Sequence, residues 1–341
     1  MASYKVQGPL ADETLLTTVL GSGAYQLAHL SDPEGWPQAD LTLITAEAQA
    51  RLDYYLAAHG LDLSTEFAQL LPDNQILAGR TFSADVWTPR WRNIWRAAAE
   101  EIMLHRTSRS PETLTTWLNN IWSRADSRLR AQAARRVCPS GLDRDDLTVQ
   151  HKSYGYYQYF TVVDYIYDHA HFDGTRSEAL TRGVFMASDA VTVLPYDPVR
   201  DRVLVIEQLR AAPLARGDRG LWLMEPVAGR IEPADDPEDT AIREAWEEAH
   251  VQVTGLHKIG EYYPSTGAFS EYLYSFIGLA DLPDDAGKLA GLDIEGEDIR
   301  GHVMSRTGLM AAITRGDIPV GPLMISAYWL DANHHRLGAG G

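Results

Sequence analysis

At 341 residues the chain is longer than a single hydrophobic core usually serves, so two domains are expected. Its 45% apolar and 23% charged content is that of an ordinary globular protein. A net charge of -17 argues against a nucleic-acid-binding surface, because phosphate backbones are held by basic patches; it leaves room for a small anionic ligand wherever local arginines or a metal reverse the field.

The first residues, MASYKVQGPLADE, carry no basic segment followed by an apolar run, so no signal peptide is expected. No apolar run approaches the roughly 18 residues of a membrane span. A cytoplasmic protein with neither nucleic-acid nor membrane partners is the expectation. Residues 1–105 read as mixed α/β. Within them the spacing predicts a helix from Thr45 to His59, stopped by Gly60, and a strand in GRTFSADVWTP. Trp87, Trp91 and Trp95 recur every four residues; a stacking platform for a ligand base is one reading, core packing the favoured one.

Ser110 and Pro111 form an N-cap and first-turn pair, opening a long helix with Leu114, Trp117, Leu118, Ile121, Trp122, Ala125 and Leu129 on its apolar face. Arg124, Arg128 and Arg130 mark the other face, read as solvated rather than phosphate-binding. Residues 106–150 are expected to be a helical connector. The lone Cys138 excludes an intramolecular disulfide, suits a reducing compartment and is read as structural.

From residue 151 short strands and hairpins take over. The tyrosine-rich run KSYGYYQYF suggests a ligand wall or a dimer surface. Asp173-Gly174 signals a tight turn, and AVTVLPYD pairs with RVLVIEQL across a polar VRD turn. His334 and His335, near the tail, lack companion carboxylates and are weak as metal ligands.

The most informative stretch is GRIEPADDPEDTAIREAWEEAHV, Gly229 to Val251. Its spacing puts Glu244, Glu247 and Glu248 on one face of one helix. Crowded carboxylates repel, and a divalent cation is the natural compensator; hard ions such as Mg²⁺ bind through few carboxylates together with substrate phosphates. Asp236 is read as the cap, Pro237 as the first helical residue and Asp239 as a capping-box acid.

This stretch resembles the Nudix box, with Gly229, Arg243, Glu244, Ala245, Glu247, Glu248 and Val251 in register. Asp235 stands where the box has its first glutamate. His250 replaces its later glycine, at an expected left-handed position that costs about 1 kcal/mol. The resemblance extends over roughly residues 155–332, through LWLMEPVAG, YPSTGAFSE and GLDIEGEDIRGHV, and is to the ADP-ribose pyrophosphatase branch of the Nudix hydrolases. It implies an α+β protein whose hydrolase domain, residues 151–336, is an α/β/α sandwich with a mixed sheet.

The resemblance also assigns residues. Glu244 and Glu248, with the backbone carbonyl of Ala228 and with Glu247 completing the cluster, would bind Mg²⁺, Mn²⁺ being the alternative. Glu295 matches the catalytic base of a mobile loop, and Glu297 is its rival. Arg182 and Arg210 fall where phosphates are gripped, and Glu271 lies in the substrate loop. The implied reaction splits ADP-ribose into AMP and ribose 5-phosphate, in a homodimer that exchanges N-terminal strands. The alternatives are another nucleoside diphosphate sugar, or a nucleotide-binding sensor whose altered box no longer turns over.

Residues 1–105 weakly resemble a gamma-glutamylcyclotransferase-like α/β-barrel domain. Val6-Gln7-Gly8-Pro9-Leu10 replaces that family's glycine-containing motif, and Leu56 stands where its catalytic glutamate is sought. Leucine moves no proton, so the module is expected to be degenerate. Its pairing with an ADP-ribose pyrophosphatase domain is similar to the TrgB-type tellurite-resistance proteins.

Overall fold

The computed structural model describes residues 2–30, 37–61, 67–69, 75–77, 80–82, 87–134, 138–291 and 298–337. They fall into two compact units, Met1–Gly183 and Val184–Gly341. No described helix is long and apolar enough to cross a membrane.

The first unit opens with a four-stranded sheet of β1 (Ala2–Gln7), β2 (Tyr25–Leu30), β3 (Gln38–Leu43) and β4 (Phe67–Gln69), in the order β2-β3-β1-β4. Helices α1 (Glu13–Leu20) and α2 (Ala46–Ala58) accompany it. The Asp12 carboxylate caps α1 by accepting from Leu15 N at 2.9 Å. Helix α2 has the expected bounds, with Thr45 Oγ1 accepting from Ala48 N at 3.0 Å and Gly60 at φ 72° beyond His59. A short hairpin, β5 (Gln75–Leu77) and β6 (Arg80–Phe82), precedes α3 (Pro89–Leu104). Trp87, Trp91 and Trp95 are all buried, so the tryptophan stripe is core packing.

The long helix expected from Pro111 is broken. Trp117, at φ −109° and ψ 17°, separates α4 (Pro111–Thr116) from α5 (Leu118–Ala133), and the Ser110 side chain makes no capping bond. The arginine face of α5 is not solvated either. Arg124 is 4% exposed and donates from Nη2 and Nε to one carboxylate oxygen, Oε1, of the equally buried Glu101 of α3, at 2.5 and 3.2 Å. Arg128 joins Glu101 at 3.1 Å, and Arg130 pairs with Asp126 at 2.6 Å. Residues expected as a connector thus pack inside the first unit, α5 lying on α3 and α4 on α2. Cys138, read as structural, is exposed, its Sγ accepting from Ser140 Oγ at 3.6 Å.

The unit ends in a three-stranded sheet, β7 (Leu147–Tyr157), β8 (Thr161–His169) and β9 (Leu180–Met186), in chain order. Asp173-Gly174 makes the expected turn, with Gly174 at φ 84° and its N–H on His171 O at 3.0 Å. From the tyrosine run, Tyr157 turns inward to donate to Glu101 at 3.1 Å, whereas Tyr156 and Tyr159 are exposed.

The second unit is a mixed sheet between helices. In chain order its elements are β10 (Ala190–Asp197), β11 (Arg202–Leu209), α6 (Ala211–Arg216), β12 (Trp222–Glu225), β13 (Val227–Arg230), α7 (Pro237–Ala249), β14 (Gly255–Tyr262), β15 (Leu273–Leu279), β16 (Leu289–Ala290), β17 (Ile299–Ser305), α8 (Arg306–Arg315) and α9 (Gly321–Leu337). The strand order is β14-β15-β10-β11-β17-β16, with β12 on β11 and β13 on β10. The β10–β15 pair is parallel and its neighbours are antiparallel.

Every residue of β10 is buried, as a strand covered on both faces requires. On one face Val191, Val193, Leu204 and Ile206 pack with Ala241, Ala245 and Ala249 of α7. On the other, Leu194, Val203 and Val205 pack with Leu309 of α8 and Leu323 and Leu330 of α9. This is the expected α/β/α sandwich. One feature of the sheet positions the acidic helix and the strands beside it. β10 and β11 pair only at Tyr196–Val203 and Asp197–Arg202; beyond that they part, β10 taking β13 and β11 taking β12. Residues 222–230 fill the opening, β13 lying against α7 and β12 against α9.

Candidate active site

Helix α7 carries the acidic box. Pro237 occupies its first turn as expected, but the Asp236 side chain makes no capping bond. The Asp236 carbonyl instead accepts from Thr240 N at 3.1 Å and from Thr240 Oγ1 at 3.0 Å. At the other end His250 adopts φ 53° and ψ 34°, the left-handed position that the box normally gives to glycine. Small Ala241, Ala245 and Ala249 bring α7 close to the sheet, which decides where the glutamates go.

Glu248 is 3% exposed and its Oε2 accepts from the backbone N–H of Ala228 at 2.9 Å. Burying a carboxylate without such a bond would be strongly unfavourable. Glu244 presses on the next residue of β13: a Cβ at Gly229 would lie 2.0 Å from its carboxyl group. Only glycine leaves that space. Arg243 binds Glu244 at 2.8 Å and Glu247 at 2.5 Å. Burial alone would lower the arginine's pKa; Glu244 and Glu247 beside it outweigh that and raise it. One guanidinium therefore pairs with two carboxylates of the box.

The donor chemistry fits a hard divalent cation: three glutamates on one helical face, one fixed to the backbone of Ala228 and one seated on Gly229. Among the described residues no three Asp, Glu, His or Cys side chains converge as a ready-made ion site. Glu244 and Glu247 are turned to Arg243 instead. Glu295 and Glu297 lie outside the described residues.

A second polar group sits on the same unit. Arg210, just past β11, clasps Glu225 of β12, with Nε 2.9 Å and Nη2 2.6 Å from Oε2. Ile206 faces α7, so Gln208 and Arg210 follow it on that face. Glu271 is half-buried, and burial raises its pKa against the opposing pull of Arg230 and Arg210; Asp189 adds to the rise. Arg182 belongs to the first unit, exposed on β9, with Nη1 on the Thr181 carbonyl at 2.8 Å.

The second unit therefore brings Ala228, Glu244, Glu247 and Glu248 together, and sets Arg210 in the surroundings of Glu271. Sequence reasoning missed Glu225 and Arg230. For Glu225 a signal existed: an acid inside the otherwise apolar LWLMEPVAG must have a partner when buried. Arg230 gave none, because a cation after a strand glycine is indistinguishable from a surface charge.

The Nudix-domain model matches residues 186–309. An ADP-ribose pyrophosphatase of Escherichia coli K12 is 34% identical over 199 residues, spanning 58% of this chain and 94% of that protein. A GDP-mannose pyrophosphatase of Escherichia coli O9:H4 (strain HS) is 30% identical over 178 residues, spanning 52% of this chain and 90% of that protein. A crystal structure described as an ADP compounds hydrolase covers 55% of this chain and 96% of its own, with a TM-score of 0.44 and 16% identity, a likeness too slight to argue from. The chain belongs to the Nudix family and is a Nudix hydrolase. The 199-residue match is longer than the second unit, so the kinship reaches into the first.

Proposed function

We propose that the chain hydrolyses the diphosphate of ADP-ribose, giving AMP and ribose 5-phosphate, with Mg²⁺ (Mn²⁺ as the alternative) as its metal. The observation that carries the reading is the seating of α7 on β13: Glu248 on Ala228 N and Glu244 on Gly229. The 34% identity to an ADP-ribose pyrophosphatase supports the choice of substrate.

The metal would be held by Glu244, Glu247, Glu248 and the Ala228 carbonyl, and supplies charge neutralisation at the diphosphate oxygens. The chain's own groups do the rest. Arg243 pairs with Glu244 and Glu247 and fixes where their carboxylates lie. Glu225 pins Arg210 in one geometry, and the permanently charged guanidiniums of Arg210 and Arg182 suit phosphate. Glu271 contributes to the substrate pocket. As a water oxygen bonds to phosphorus and the bridging P–O bond breaks, Glu295, or Glu297 in its place, takes the water's proton.

The hydrolase domain is assigned to residues 151–336, following a degenerate cyclotransferase-like module, 1–105, and the segment 106–150. The burial of Leu56 in α2 supports a non-catalytic module. We place the enzyme in the cytoplasm as a homodimer, without nucleic-acid or membrane partners. A different nucleoside diphosphate sugar is the second reading, favoured by the GDP-mannose pyrophosphatase relative.

Glu248→Gln tests the assignment. It should keep the fold, bind Mn²⁺ more weakly by paramagnetic relaxation, and lose most turnover. Wild-type turnover in that variant would overturn the metal-site reading.

A further inference from the structure

We propose that one end of the β7–β8 sheet, where Lys152, Tyr154 and Tyr165 meet Arg128 of α5, binds a phosphate group. The site uses none of the residues assigned to the hydrolase reaction, and it stands or falls independently of the pyrophosphatase reading.

Strand register gathers these side chains. Lys152 and Tyr154 stand two apart on β7 and so share a face, and Lys152 is registered with Tyr165 and Tyr154 with Val163 of β8. The register shifts between Tyr154 and Tyr156, which returns Tyr157, opposite Thr161, to that same face. One end of the face is closed: Tyr157, Thr161 and Val163 are buried, and Tyr157 Oη donates to Glu101 of α3 at 3.1 Å. The other end is open, with Lys152, Tyr154 and Tyr165 half-buried. There the Lys152 ammonium lies 4.9 Å from the ring centre of Tyr154 and 5.6 Å from that of Tyr165.

Charge is unbalanced at the open end. Arg124 and Arg128 both pair with Glu101, at 2.5 and 3.1 Å, and use up its carboxylate. Among the described residues Lys152 has no ion pair, and neither its ammonium nor the hydroxyls of Tyr154 and Tyr165 make a hydrogen bond. Burial lowers the lysine's pKa; Glu101 opposes this, Arg128 and Arg124 add to it, and a smaller pull from the exposed Glu100 leaves it below the ordinary value. Arg128 also acts on Tyr154 and Tyr165, so guanidinium, ammonium and phenols share one neighbourhood. Three cations around one buried carboxylate leave a positive surplus, and a half-buried charge without a partner is unfavourable. That surplus reverses the local field in a chain of net charge -17.

The donors suit phosphate better than a carboxylate. Lysine carries three N–H donors, each tyrosine hydroxyl one, and Arg128 spends only part of its fork on Glu101 and on the Ala97 carbonyl. Two carboxylate oxygens cannot satisfy so many donors, whereas a phosphate group offers three acceptor oxygens and more charge. The frame is firm. His105, 1% exposed, wedges between the rings of Tyr154 and Tyr157 at 4.5 and 4.3 Å. Burial holds its pKa near 4, so it steadies Tyr154 without adding charge at neutral pH. The arginine face of α5 and the tyrosine run of β7, separate features in the sequence, thus form one site.

The test is titration calorimetry of the full chain in a metal chelator, with inorganic phosphate, ribose 5-phosphate and acetate as probes. Phosphate should bind, and acetate far more weakly. Lys152→Met should weaken phosphate binding about 10- to 100-fold, the loss of a charge-assisted bond, whereas Lys152→Arg should stay within about threefold of wild type. Arg210→Met should leave phosphate binding unchanged. Tighter binding of ribose 5-phosphate than of inorganic phosphate supports the site with a phosphorylated small molecule as its source; equal binding supports it with the free ion. No phosphate binding, or acetate bound as tightly, would overturn the proposal. Binding lost in Arg210→Met but kept in Lys152→Met would overturn it too, moving the anion to the hydrolase site. A second measurement needs no variant. Trace acetylation read by mass spectrometry should slow about 10-fold at Lys152 when phosphate is at ten times its Kd, because only about a tenth of the chains are then free, while Lys5, Lys258 and Lys288 keep their reactivity. An unprotected Lys152 in phosphate-bound protein would overturn the proposal.

Discussion

Gly229→Ala separates a packing role from a chemical one. The new methyl carbon would lie 2.0 Å from Cδ and Oε1 of Glu244 and 2.5 Å from its Cγ. Ordinary contact begins at 3.4 Å, so the carboxylate must retreat by about 1.4 Å, and a displacement near 1 Å in a catalytic array costs on the order of 100-fold in rate. Stability should respond differently. Gly229 does not have a positive φ, so alanine fits its backbone, and reduced freedom of the unfolded chain favours folding by about 0.4–1 kcal/mol. The obstructing atoms belong to a side chain that can swing aside. Gly229→Ala should therefore melt within a few degrees of wild type while AMP release from ADP-ribose falls about 100-fold or more. Wild-type kcat in a folded Gly229→Ala protein would refute the claim that the seat of Glu244 on β13 matters.

Three further outcomes follow from the geometry. Glu101→Gln strands Arg124, 4% exposed, and should destabilise the chain by about 3 kcal/mol in urea unfolding. Acid should weaken the first unit in two stages: burial holds His59 and His105 near pKa 4, below the ordinary 6.5, so their contribution is full above pH 6.5 and lost as pH falls toward 4. Glu101 follows, since burial is outweighed by Arg124 and Arg128 and its pKa falls to about 2; its contribution is full above pH 4.5 and fades toward 2. His59→Phe should flatten the earlier stage in urea midpoints measured across that range. Glu225→Gln frees Arg210 from its bidentate clasp and should raise KM more than it lowers kcat.

The second unit was largely legible because its signals are local. The β10–β11 hairpin, the box helix and the left-handed His250 each follow from residues within a few positions of one another. What escaped depends on partners remote in sequence. The arginine stripe of α5 looks solvated until Glu101, on α3, supplies a buried counter-charge. The break at Trp117 likewise has no Gly or Pro to announce it. In the site, Glu244, Glu247 and Glu248 were readable from helical spacing, whereas Arg230 and Glu225 acquire meaning only when β10 and β11 part and admit β12 and β13.

The most direct measurement is AMP release from ADP-ribose by the full chain, with Mg²⁺ and with a chelator, beside GDP-mannose and ADP-glucose. The account predicts rapid, Mg²⁺-dependent formation of AMP and ribose 5-phosphate in equal amounts, with ADP-ribose preferred. Tight binding of ADP-ribose with no product in saturating Mg²⁺ would contradict it and leave a nucleotide sensor in its place.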